Sequence, residues 1–89
     1  MQKLVKEFIE KQGWRTDAQS RYLDLVSEIG ELGKEILLST DYGKMDFSLT
    51  PSTTDEMGDC LFSLLALCTE MGINAEEALK QSISKYEAR

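Results

Sequence analysis

The stretch Asp55-Glu-Met-Gly-Asp-Cys-Leu-Phe-Ser-Leu-Leu-Ala-Leu-Cys68 decides the fold. After Asp59 it carries no charge and is apolar almost all round, and its length suits a helix better than a strand. Such a helix is expected to be buried. On its wheel Glu56, Asp59 and Ser63 share one narrow seam. A carboxylate in apolar surroundings is costly unless it is paired or coordinates a cation, so this helix requires a positively charged partner.

Pro51 and Thr53 announce the start of this helix, which should reach about Met71 and close at Gly72. Asn74-x-x-Glu77 opens a last helix running nearly to Arg89. Upstream, residues Ser39 to Thr50 mix Gly, Asp, Ser and aromatic residues without period and read as a polar loop, with Phe47 and Leu49 as candidate anchors. Before the loop, Thr16-x-x-Gln19 has capping-box spacing. Tyr22, Leu25, Val26, Ile29, Leu32 and Ile36 then continue at helical period to about Leu38. Gly30 and Gly33 fall in that apolar arc, where absent side chains would let another helix approach closely. The opposite arc carries Asp24, Glu28, Glu31 and Glu35. A first helix, about Gln2 to Lys11, has the stripe Leu4, Val5, Phe8 and Ile9 and ends before Gly13, which leaves Trp14 in a connector. Four helices account for the chain, no alternating period-two segment competes, and the class is all-α.

The 89 residues make one expected domain over 1–89, near the size at which one hydrophobic core is barely sufficient and a second copy is a common remedy. The net charge of −6 argues against a nucleic-acid binder, since no basic stripe could displace counterions from a phosphate backbone. No charged-then-apolar leader pattern and no apolar run approaching ~20 residues is present, so no membrane association and a cytoplasmic location are expected. Histidine is absent, which excludes a Glu-x-x-His di-iron bundle and makes a zinc hydrolase improbable. Cys60 and Cys68 lie too far apart along one helix to bond each other and read as small buried thiols.

Glu28-x-x-Glu31 and Glu56-x-x-Asp59 each place two acids one turn apart on one helical face. Four oxygen ligands converging from consecutive helices would repel one another unless a cation neutralised them, and all-carboxylate ligation suits Mg²⁺ or Mn²⁺. The bland readings stand beside this one. Asp24 and Glu35 suit a solvated face, Glu56 could close a capping box with Thr53, and a structural salt bridge could answer the buried charge. Among the aromatic residues Trp14 is the best ligand candidate. Lys34 could simply oppose Asp24 and Glu35, and Lys80, Lys85 and Arg89 on the last helix are solvated or dipole-complementing charges by default; if the acids hold metal, these basic residues become candidates for phosphate contact.

From the acid pairs onward the chain resembles the MazG-type all-α nucleoside triphosphate pyrophosphohydrolases, related to the dimeric dUTPases and the helical dCTP pyrophosphatase. The resemblance rests on Leu25-Val-Ser-Glu-Ile-Gly-Glu-Leu-Gly-Lys-Glu35, on Asp55 to Leu67, and on Glu70-Met-Gly-Ile-Asn-Ala-Glu-Glu-Ala-Leu79. Residues 32–55 form the gap between the two motifs, within the family's usual range. Many members begin the first motif with paired glutamates. Here Ser27 takes that place, so any role of the missing carboxylate is either unavailable or passes to another acid such as Glu35. The resemblance implies Mg²⁺-dependent cleavage of a nucleoside triphosphate between the α and β phosphates, with Glu28, Glu31, Glu56 and Asp59 as metal-holding and catalytic residues. It further implies nucleotide-pool cleansing by a helical bundle completed as a homodimer or homotetramer. The rival reading is a non-catalytic helical interaction module whose acids form a structural or regulatory metal site.

Overall fold

A computed structural model describes residues 1–89 as four helices and no strand: α1 (Gln2–Gln12), α2 (Ala18–Ser39), α3 (Pro51–Glu70) and α4 (Ala75–Glu87). The ends follow local chemistry. Gly13, at φ 69°, closes α1 in a left-handed turn that only glycine adopts without strain, donating to Glu10 while Trp14 donates to Ile9. α2 is capped by Asp17, whose carboxylate accepts from the Ser20 amide at 2.7 Å, and not by Thr16 as the capping-box spacing suggested. Asp17 stands one residue further along in extended backbone, the conformation an N-cap needs. α3 starts from Thr50, which accepts from the Thr53 amide at 3.2 Å, with Pro51 in the first turn. Thr53 is therefore inside the helix, and Glu56 is not the reciprocal half of a capping box. Asn74 caps α4 as its spacing with Glu77 suggested, accepting from the Glu77 amide at 3.0 Å.

α3 is the central element, packed against α2 on one side and α1 on the other. Val5, Leu65 and Ala66 form the buried cluster between α1 and α3, with Ile9, Phe62 and Ala75 around it. Gln2 ties α1 to the α3–α4 turn, donating to the Ile73 carbonyl and accepting from the Ala75 amide, both at 2.7 Å. The resulting body is a layer, 41 × 40 × 21 Å.

Four expectations are corrected by this layer. α3 is not buried all round, because Met57, Leu61 and Leu64 remain exposed. On α2 only Leu25 and Leu32 of the apolar stripe turn inward, sharing the α3-facing side with Arg21, Glu28 and Glu35, while Tyr22, Val26, Ile29 and Ile36 face outward. A Cβ built on Gly30 or Gly33 would meet nothing within 4 Å, so neither glycine serves a close approach inside this chain. Phe47 and Leu49 are also exposed and do not anchor the 39–50 loop. Its backbone turns instead through Asp41 and Tyr42, both at positive φ, with the Tyr42 amide donating to Leu37.

α2 and α3 run antiparallel, so turning the same way from the contact line of each helix leads to one flank of the pair. Tyr22, Val26, Ile29 and Ile36 therefore share a flank with Met57, Leu61 and Leu64. Glu31 and Asp59 lie toward the opposite flank.

Candidate metal centre

The α3-facing side of α2 repeats at Arg21, Leu25, Glu28, Leu32 and Glu35, a helical spacing that alternates apolar and acidic side chains along one contact line. The α2-facing side of α3 repeats at Thr53, Glu56, Cys60 and Ser63. Leu25 and Leu32 are half-buried on this line, and the acids that alternate with them are brought to the level of the α3 acids by the pairing of the two helices.

Glu28, Glu56 and Asp59 each offer a carboxylate oxygen, and the three oxygens lie within 4.8 Å of one another. Glu28 and Glu56 are half-buried and Asp59, at the edge of the seam, is exposed. Glu31 is exposed one turn beyond Glu28 and stands outside this trio, yet its charge acts on Glu56. Loss of water contact raises the Glu56 carboxyl above the ordinary carboxylate range, and the neighbouring charges of Asp59, Glu31, Glu28 and Glu35 raise it further. Cys60, a free buried thiol on the same contact line, is raised first by burial and then by Glu28, Glu56 and Asp59.

No cationic side chain answers this charge. The chain's ion pairs are Lys3–Glu7 and Lys80–Glu76, both 3.9 Å, both exposed and both within single helices. A structural salt bridge is therefore not what balances Glu28, Glu56 and Asp59. With only carboxylate oxygens as donors and an open outer edge at Asp59, the group fits a hard divalent cation with positions left for water or phosphate.

Trp14 is 51 % exposed and stands edge-on to Phe8, with ring centroids 5.4 Å apart, and Phe8 stands edge-on to Phe62 at 6.1 Å. This aromatic run connects the α1–α2 connector to α3 one turn beyond Asp59. Nothing in the spacing of Phe8 pointed to it, since Phe8 read only as part of the α1 stripe. Lys34, Lys85 and Arg89 are exposed, and the Arg89 guanidinium lies over the ring of Tyr86 at 5.1 Å. No helix is long and apolar enough to cross a membrane.

A family model describing the MazG nucleotide pyrophosphohydrolase domain matches residues 16–89. Neither a curated protein nor a solved structure matches the chain.

Proposed function

The chain belongs to the MazG nucleotide pyrophosphohydrolase family, and from that premise we propose that it hydrolyses nucleoside triphosphates between the α and β phosphates in a Mg²⁺-dependent reaction. The products are a nucleoside monophosphate and pyrophosphate. The observation that carries this reading is the convergence of Glu28, Glu56 and Asp59 from two helices with no cationic side chain among them.

These three acids would hold the ion, with Mn²⁺ as a substitute. A divalent cation held there would supply neutralisation of the polyphosphate charge and acidify a nearby water. The chain's own contribution is to fix that charge on two packed helices, so that little reorganisation accompanies the reaction. Glu31 is the motif glutamate free either to complete the ligation or to accept the proton of the attacking water. The water oxygen bonds to phosphorus as the P–O bond of the α–β bridge breaks, and pyrophosphate departs with the electron pair. Glu35 faces α3 and adds to the field on Glu56, which supports its taking the place of the acid that Ser27 lacks. Trp14, in a T-shaped contact with Phe8 and half exposed, is the aromatic surface offered to a nucleobase.

The protein acts as a homodimer or a dimer of such dimers. Support comes from the shared flank of Tyr22, Val26, Ile29, Ile36, Met57, Leu61 and Leu64, and from a buried cluster too small to sustain a chain of this length alone. A second copy laid on that flank turns the layer into a bundle and supplies the close neighbour that Gly33 leaves room for. The cellular role is removal of noncanonical or surplus triphosphates from the cytoplasmic nucleotide pool.

The test is product analysis on a panel of ribo-, deoxy- and modified nucleoside triphosphates. Monophosphate and pyrophosphate in equal amounts with Mg²⁺, and neither with EDTA, is the expected result. Silence across the panel from the folded protein would favour an interaction module.

A further inference from the structure

Arg21 is the chain's only buried cation, 9 % exposed, and it sits on the α3-facing side of α2 in line with Leu25 and Glu28. Its guanidinium takes part in no hydrogen bond or ion pair within the chain, and its Nε is fully enclosed without a partner. Burying such a fork unpaired is unfavourable, and its natural complement is a planar or tetrahedral oxyanion held by two parallel hydrogen bonds. A carboxylate from a second copy on the apolar flank is poorly placed to supply it, because that flank lies about a quarter turn of α2 away from the Arg21 face.

We propose that Arg21 receives the terminal phosphate of a triphosphate whose inner phosphates lie at the Glu28–Glu56–Asp59 group. This deepens the function proposed above and rests on it. Arg21 and Glu28 are two turns apart on one face, about 10 Å along the helix axis. A three-phosphate chain anchored at the acids reaches one phosphate further toward Arg21 than a two-phosphate chain does. Arg21 is thus a length gauge: it favours triphosphates over diphosphates, at the cost of an unpaired buried charge when the site is empty.

The experiment compares binding of inorganic tripolyphosphate and inorganic pyrophosphate, each with Mg²⁺, by calorimetry on the wild-type protein, Arg21→Met and Arg21→Lys. The wild type should prefer tripolyphosphate. Arg21→Met should lose about tenfold in tripolyphosphate affinity with little change for pyrophosphate, and Arg21→Lys should recover part of the loss. Unliganded Arg21→Met should melt no lower than wild type, a readout separating anion binding from a purely structural role. Equal wild-type affinity for the two anions, or an unchanged preference in Arg21→Met, overturns the proposal. If Arg21→Met fails to fold, an unchanged preference in Arg21→Lys does the same. Because no hydrolysis is measured, failure here is distinct from failure of the nucleotide panel.

Discussion

Glu28 on α2 and Glu56 on α3 bring carboxylate oxygens to within 4.8 Å across a helix–helix contact, half-buried and without a basic neighbour. Two like charges in that position oppose the packing of the helices that carry them. A divalent cation held there, as proposed, would therefore couple stability to metal binding at this contact.

Replacing Glu56 with Gln removes a charge that its neighbours repel. The metal-free variant should melt at a higher temperature than wild type, while Mg²⁺-dependent hydrolysis falls by about a hundredfold or more. Thermal melts in EDTA beside turnover assays check both halves, and a lower melting temperature with retained turnover would contradict them.

The pH dependence of the metal-free protein has an unusual sign. Glu56 has a folded-state pKa raised above the unfolded value near 4.5, so the folded state binds the proton more tightly. This group therefore adds stability as the pH falls from neutrality through the raised pKa toward 4.5, and the gain is lost again as the pH rises. With saturating Mg²⁺ the same descent should weaken stability, because protonation of Glu56 competes with the ion. Urea melts at neutral and mildly acidic pH, with and without Mg²⁺, should show slopes of opposite sign.

The apolar flank gives a test of assembly. Ile29→Glu places a charge on an exposed apolar surface, which costs the isolated chain little. In an interface between copies the same charge is buried without a partner. Light scattering should find an oligomer for wild type and a monomer for Ile29→Glu at micromolar concentration. Wild-type protein that is already monomeric would contradict the assembly.

Phe8 holds the aromatic run together. Phe8→Ala removes both edge-to-face contacts and should lower stability by about 1–2 kcal/mol, with a red shift of Trp14 fluorescence as the indole loses its neighbour. Gly13→Ala strains the left-handed closing turn of α1 at a cost of ~1 kcal/mol, and should disturb the same fluorescence. Chemical denaturation followed at Trp14 reads both.

Helix number and order were legible in the sequence because Asn74, Pro51 and Gly13 act through a few neighbouring bonds, and the same locality made Asn74 a correct cap. Thr16 misled because Asp17, one residue on, competes for the same role with a better acceptor. The acid trio was legible as two spacings, since Glu56 and Asp59 share a face whatever they pack against. The α3-facing sides of Glu28 and Glu35 were not, because the apolar stripe of α2 was assumed to turn inward. In the fold the helix is rotated, with Leu25 and Leu32 at the contact and Ile29 and Val26 outward. A wheel ranks apolar arcs without knowing whether a second copy exists to cover them. Arg21 and the aromatic contacts of Phe8 escaped notice for a related reason, as each owes its character to a neighbour on another helix or to the lack of one.

Whether carboxylates of α2 and α3 form one divalent-cation site is read by titration of Mn²⁺ followed by electron paramagnetic resonance. Wild type should bind the ion, and Glu28→Gln and Asp59→Asn should each lose most of that affinity while remaining folded. Undiminished Mn²⁺ binding in either folded variant would contradict a site shared between the two helices.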